Sequence, residues 1–453
     1  MPGLHAQLRQ RTFGNYGHFL NHRQAISHSG RYLVYDTRNA DSDIAKTTRI
    51  ESLDLSDNSV RILYDTHSQS VHGPGVGAVV CHPLRSTVVF IHGLTHCDEL
   101  QPYSMTRRFG ACLHIEPSDT NSDPKSKLVS IESRSLQTPI PWGVLRGGTH
   151  AHSFSSDGTW ISFTYNDALA PERRTVGFAI VDLWTSDSDT QTELQPLRFE
   201  EEFKGIGWAA LILVPDQAIE SAREECWVPH PTLRQLAFLG RVANRSKGQS
   251  QTQSQNPDDR WVDEVFLAQL PAQADRWPSL LDRQTPEAHP SGAQLASPPG
   301  IQIRRLTQTE SAPYPGVQGP RHWLMASNCG TWIYTLRKDP QGTLRIVRVG
   351  VREDLQDGPQ NGNWEWVSHN KESITHPPAI DAATGRISYL TGKRLTILDT
   401  TTGQEIPVQW DTDAMDTIVG PVQFLGESGG IFWNARPFGS PWLQIWTALL
   451  KRC

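Results

Sequence analysis

FSSDGTWISFTYND, at Phe154–Asp167, is the stretch whose reading decides the fold. A polar turn, Ser155–Gly158, leads into a run in which Ile161, Phe163 and Tyr165 alternate with Ser162, Thr164 and Asn166. A period of two marks a β-strand with one buried face, and a Gly-bearing polar turn before it marks a hairpin. The pattern recurs as HSGRYLVYDTR (His28–Arg38), HPLRSTVVFIHG (His82–Gly93) and HPTLRQLAFLG (His230–Gly240). It returns as ASNCGTWIYTLRKD (Ala326–Asp339), DAATGRISYLTG (Asp381–Gly392) and LGESGGIFWNARP (Leu425–Pro437), which makes seven copies. A second β run follows several of them: Ser59–Asp65, Val262–Leu270, Thr343–Gly350 and Arg394–Gly403.

Two hairpins make one four-stranded propeller blade. Successive copies lie roughly 45–95 residues apart, against about 40–50 for an undecorated blade. The expected fold is therefore all-β: a single seven-bladed β-propeller over residues 1–453, with long loop insertions in the middle blades. The excess falls in Arg241–Arg260, a low-complexity stretch expected to be disordered, and in Pro- and Ser-rich Leu281–Gly300. Gln217–Cys226 reads as a short helix in another insertion. Whether the N-terminal strand completes the last blade is left open.

Composition agrees. The 453-residue chain carries 15 Trp, 35 Gly and 31 Pro, a profile of many short strands joined by turns. With net charge −6 and no Lys/Arg cluster interleaved with aromatics, no nucleic-acid footprint is visible. Met1–Leu20 has no apolar run of signal-peptide length, and no stretch of 18 apolar residues predicts a membrane span. The cysteines (Cys81, Cys97, Cys112, Cys226, Cys329, Cys453) are scattered without a CxxC, which reads as reduced thiols in a cytoplasmic protein.

Candidate chemistry lies in histidines. In LRGGTHAHSFSSDG, His150 and His152 are two apart, so a regular strand would point both to one face and offer two imidazoles to one metal. Arg146 beside them is a fixed cation for an anionic ligand. His72, His322 and His376 precede the second, fifth and sixth copies, and His92 ends the strand in VVFIHG. Innermost strands line a propeller's central channel, so these residues are expected to converge on one funnel, where imidazoles suit a divalent transition metal. The bland alternative is that each histidine hydrogen-bonds a neighbouring blade. GESGG (Gly426–Gly430) fits a nucleophile elbow but has no histidine downstream, and reads as a blade turn. HGPGVG (His72–Gly77) has no helix after it, and DTDAMD (Asp411–Asp416) lacks the Gly and Glu of a calcium loop.

YDTR (Tyr35–Arg38), FIHG (Phe90–Gly93), the Leu145–Asp167 stretch, RRLT (Arg304–Thr307), YPGVQGPRHW (Tyr314–Trp323) and SHNK (Ser368–Lys371) resemble the bacterial YidR-like family. That family is grouped with TolB-like propellers and oligogalacturonate lyases. The resemblance to the lyases implies a seven-bladed propeller with a manganese-type site, and a separate histidine that removes the proton α to a uronate carboxylate. On it, the stretch with His72 and His92 matches the segment carrying the base, and THAHSFSSDG the metal-binding segment. His150, His152, His322 and His376 become metal candidates, and Arg146 a holder of the substrate's acid group. SITHPPAID keeps His376 but has neither the second histidine nor the glutamine of the lyases' final metal motif. The function expected is lyase-like action on an acidic oligosaccharide by α-proton abstraction. The alternative is a non-catalytic TolB-like propeller binding a protein, peptide or sugar.

Overall fold

A computed structural model describes residues 3–66, 69–115, 128–181, 200–244, 260–281, 295–320, 324–351, 364–426 and 429–452. Within them the chain forms five four-stranded sheets, one of eight strands and a two-stranded one, Ser133–Arg134 with Val144–Leu145. The eight-stranded sheet divides into consecutive strands Ala379–Ile380, Arg386–Thr391, Arg394–Asp399 and Glu405–Trp410, and a second group, Met415–Phe424, Gly430–Pro437 and Gln444–Arg452 completed by Leu4–Gln10. Seven four-stranded units result, numbered here as blades 1 to 7 in chain order.

Each blade begins at its inner strand: Phe19–Leu20, Val76–Cys81, Gly148–Phe154, Ser221–Val228, Met325–Ala326, Ala379–Ile380 and Met415–Phe424. The seven sequence copies each supply the second strand of a different blade, Tyr32–Asp36, Thr87–Gly93, Trp160–Asp167, Gln235–Ala243, Trp332–Lys338, Arg386–Thr391 and Gly430–Pro437, with the turn before it. The turn chemistry repeats. Ser27, Ser155 and Ser327 each accept from the amide three residues on through their carbonyl, and through their hydroxyl from the amide five residues on, that of Tyr32, Trp160 or Trp332. Gly158 and Gly330 hold φ +73° and +67°, where a side chain is strained. A Cβ on Gly330 would also meet the Pro229 carbonyl.

The blades cannot bury both faces alone, and the core shows how they do so together. Seven apolar clusters each bridge two successive blades. Val34 and Ile50 meet Phe90 and Phe109 between blades 1 and 2. Val80 and Val89 meet Ile161 and Phe163 across the next interface. Trp160 and Phe178 meet Phe238 and Phe266 between blades 3 and 4. Leu239 and Val265 meet Ile333 and Val349, Leu336 and Ile346 meet Ile387 and Leu398, and Leu395 and Ile397 meet Ile418 and Trp433. The seventh cluster joins Phe432 and Ile445 to Leu33 and Tyr35, from last blade to first. The molecule is a β-propeller.

Strand pairing also closes the ring. Leu4–Gln10 lies antiparallel to Gln444–Arg452, with Ala6 opposite Leu450 and Gln10 opposite Trp446. The first strand of the chain thus becomes the outermost strand of the last blade. It also touches blade 6 in parallel, at Leu4–Ala6.

Two readings of local structure change. Gln217–Cys226 is no helix: Ser221–Val228 is the inner strand of blade 4, bent at Glu224, whose φ is +56°. The insertions at 241–260 and 281–300 lie largely outside the described residues, apart from Arg241–Ala243 at the end of a blade 4 strand and short flanks. Of GESGG, Glu427 and Ser428 lie outside the described residues; beside it, Leu425 N donates to Gly430 O at 2.9 Å.

Trp433, 0% exposed between blades 6 and 7, tests the packing: Trp433→Ala should cost about 3–5 kcal/mol in urea unfolding. Deleting Leu4–Gln10 should lower the thermal midpoint and raise light scattering, because it frees the edge of Gln444–Arg452. An unchanged midpoint would show that the closing strand adds no stability.

Candidate functional site

His92, His152 and His376 lie in three different seams between blades. His92 is buried between blades 1 and 2, where its Nε2 accepts from Tyr64 Oη at 2.8 Å and its Nδ1 donates to Gly93 O. Burial pushes its pKa down to about 4. His152 is buried between blades 2 and 3: Thr149 donates to Glu132, and His152 Nε2 donates to Thr149 Oγ1 at 3.0 Å. Burial first, and the Arg108 charge second, hold the His152 pKa at about 3. His376 sits between blades 6 and 7, its Nε2 donating to Ile418 O at 3.1 Å and its Nδ1 2.9 Å from Thr375 Oγ1. That is the bland reading, a histidine tied to its neighbouring blade.

His150 and His152 do not share a face as regular alternation requires. A bulge interrupts the strand between His150 and Ser153, centred on Ala151 at φ +57°. His150 is left half-buried and His152 is enclosed. The same device bends other inner strands at Ala78 and Glu224, with φ +55° and +56°. Arg146 is committed to a bidentate ion pair with Asp167, at 3.0 and 3.0 Å, and Tyr165 Oη donates to the same carboxylate. His72 lies half-buried in the turn before blade 2, its carbonyl accepting from Tyr103 N at 2.8 Å. Tyr103 Oη in turn accepts from Arg108 Nη1 at 3.2 Å. His322 is outside the described residues.

Among the described residues, no three His, Cys, Asp or Glu side chains come together to hold a metal ion. The chemistry of the candidates agrees with that. Both nitrogens of His92 and of His376 face protein partners, and His152 is sealed behind Thr149 and Gly110, where a Cβ would meet its Nε2. The described donors do not fit a manganese-type centre.

A cavity shared by all the blades lies elsewhere. About 530 Å³ opens at the end of the channel where the inner strands finish, and all seven blades reach it, from His22–Gln24 of blade 1 and Pro83 of blade 2 to Gln423 of blade 7. Its floor is a strap, Asn21–Gln24. Arg23 Nη1 crosses to Glu225 O of blade 4 at 2.6 Å, and Gln24 exchanges hydrogen bonds with the Phe154 backbone of blade 3, each 2.9 Å. Gln24 O accepts from Cys81 N of blade 2, and Asn21 O from Gln423 Nε2 of blade 7. Trp227 stands in the wall, its Nε1 donating to Ser153 O at 3.0 Å. His22, His230, Arg23, Arg234 and one carboxylate, Asp381, are in the lining, and Arg234 is paired with Asp157 at 2.6 Å. Sequence reasoning missed these residues. The signal was positional: they lie where each inner strand meets the repeated turn.

Two buried carboxyls stand behind the inner strands. Glu132 and Glu225 are almost fully enclosed, and burial lifts both to about 7. Thr164 Oγ1 donates to Glu225 at 2.8 Å, while Glu225 Oε1 has no partner.

Residues 75–183 match the family described as "Protein of unknown function (DUF3748)". The chain is 29% identical over 381 residues to the uncharacterised protein YidR of Escherichia coli strain K12, covering 81% of this chain and 80% of that one. The resemblance read from the sequence is thereby borne out. Among solved structures, an oligogalacturonate lyase from Vibrio parahaemolyticus is similar over 99% of this chain and 97% of its own, with TM-score 0.51 and 9% identity, a likeness of fold. The β-propeller domain of the trilobed protease from Pyrococcus furiosus also matches, over 99% and 97%, with TM-score 0.43 and 10% identity.

A carboxyl whose native pKa exceeds its unfolded value holds its proton better in the folded chain. Its stabilising contribution is complete below about 4.5 and is lost as pH climbs towards about 7. Glu132→Gln, which mimics the protonated form, should therefore gain on the parent by roughly 1–3 kcal/mol more at pH 8 than at pH 5. Urea unfolding at both pH values measures it; an equal difference at both would contradict the raised pKa.

Proposed function

We propose that this propeller is a binding scaffold whose working surface is the funnel over the Asn21–Gln24 strap, and that it takes an acidic oligosaccharide or similar small anionic ligand. The observation that carries the reading is the cavity itself. All seven blades contribute to one space of about 530 Å³, within the roughly 300–1,000 Å³ of small-ligand sites. Its wall combines Trp227 with side-chain amides and two arginines, of which Arg234 is paired with Asp157 outside the lining. Aromatic faces pack against sugar rings, and guanidinium groups suit carboxylates.

Uronate-type ligands match these groups and are the class named for the lyase that shares the fold. The binding reading is preferred to α-proton abstraction on the state of the proposed catalytic groups. A base needs a pKa near the working pH and access to the proton it removes. His92 is buried with both nitrogens engaged, and Arg146 is spent on Asp167. A metal would enter this reading only through residues beyond the described ones, such as His322. Five cysteines, Cys81, Cys97, Cys112, Cys226 and Cys329, are free thiols, which supports placing the protein in a reducing compartment such as the cytoplasm. No helix among the described residues is long and apolar enough to cross a membrane.

Calorimetric titration with oligogalacturonides, neutral oligosaccharides of the same length and acidic peptides tests the proposal. Uronides should bind and neutral sugars should not, and Trp227→Ala should weaken binding about tenfold, a change of about 1.4 kcal/mol. Ultraviolet absorbance should stay flat in the same mixtures with and without Mn²⁺. A rising unsaturated-product signal would restore the lyase reading, and equal affinity for neutral sugars would remove the acidic-ligand one.

A further inference from the structure

Blade 5 holds a buried cation whose guanidinium lacks a hydrogen-bonded counter-charge among the described residues. Arg337, on the second strand Trp332–Lys338, is 2% exposed, yet its Nε and Nη1 have no hydrogen-bond partner. Its guanidinium stacks over Trp364, 4.0 Å from the ring centroid. Two further donors beside it are in the same condition. Thr335, two residues back on the same strand face and 1% exposed, has an unpartnered hydroxyl, and so has the shielded indole nitrogen of Trp364. Strand register puts these groups on one side of the blade: Ile333 pairs with Val349 and Val349 with Trp364. Ile333, Val349 and Trp364 pack against Leu239 and Val265, so that side faces blade 4.

Glu264 of blade 4 attracts Arg337 electrostatically, but the hydrogen bonds of the charges around it go to other groups. Glu264 of blade 4, fully buried, accepts from Thr309 N and Oγ1 at 2.7 and 2.7 Å, from the Thr307 hydroxyl and from Arg305 at 3.2 Å. Arg305 also pairs with Glu310. Arg345, opposite Arg337 on the neighbouring strand, pairs with Asp339 at 3.0 Å. Burial draws the Arg337 pKa down to about 10, which leaves it charged at neutral pH.

A guanidinium, a hydroxyl and an indole N–H, shielded together, are donors in search of acceptor oxygens. Unmet donors beside a buried charge are costly, and an anionic ligand supplies both the acceptors and the opposite charge. A planar guanidinium fork matches a carboxylate or phosphate. We infer that Arg337, Thr335 and Trp364 form an oxyanion-binding site between blades 4 and 5. It is separate from the funnel, whose lining includes none of the three.

The test is thermal stability of the full chain titrated with inorganic phosphate and, separately, acetate, with ionic strength held constant by sodium chloride. One of the two anions should raise the midpoint saturably, and the one acting at lower concentration identifies the ligand class. Arg337→Met should weaken its apparent Kd at least tenfold. Trp364→Phe keeps the stacked ring, removes the indole donor and should weaken it a few-fold; it carries the test if Arg337→Met does not fold. Trp227→Ala should leave the anion response intact. No saturable response in the parent, or equal responses in parent and both site variants, would overturn the site. A response abolished by Trp227→Ala would move the anion to the funnel and leave only the funnel reading standing.

Discussion

Everything in this molecule depends on the face-to-face packing of successive blades. A four-stranded antiparallel sheet of this length has two faces and one small core's worth of side chains, so each blade must bury both faces against others. The seven bridging clusters meet that need in rotation, and the last can form only when Phe432 and Ile445 reach Leu33 and Tyr35. Ring closure is thus a requirement of the core. Placing Leu4–Gln10 in the last blade follows the same logic: it ties the two chain ends into one sheet and removes an open edge.

That packing also decides where polar groups can go. Side chains on the faces of the blades project into the seams between them, so a histidine or glutamate there must find partners in the adjacent blade. His92 finds Tyr64, His376 finds Ile418 O, and Glu225 finds Thr164. These contacts cross seams and give register to faces that apolar packing alone would leave free to slide. The channel end obeys a different rule. There the strap at Asn21–Gln24 hydrogen-bonds to blades 2, 3, 4 and 7, turning the meeting point of the inner strands into a floor.

The fold was legible because its signal is repeated. A Ser-x-x-Gly turn followed by alternating apolar residues states the same hairpin at Ser27, Ser155 and Ser327, and each instance corroborates the others. The third strand of blade 1, Arg49–Asp54, went unread because IESLDL carries no turn signal of its own. Ser221–Val228 was misjudged because its charged start, SAREE, has helical composition, and only pairing with Gln235–Ala243 makes it a strand. The site was harder. His150 and His152 were paired by a period-two rule that holds for regular strands, and the Ala151 bulge breaks it. A bulge is a tertiary accommodation of the inner strand to the channel, and its position is not written in residue type.

Partner satisfaction separates structural polar groups from those with something left to do. Arg146 and Arg337 are both buried arginines, and sequence reasoning favoured the first because it stood beside two histidines. In the fold, Arg146 has Asp167 in fork geometry, and Asp167 has Tyr165 as a further donor, so that cluster is electrically complete. Arg337 has an aromatic ring and two more unmet donors. A seam that only held blades together would gain from an apolar residue at that place, since an unanswered buried charge destabilises the interface that contains it. A guanidinium there, without a hydrogen-bonded carboxylate, makes sense when the seam is also a receptor for an anion.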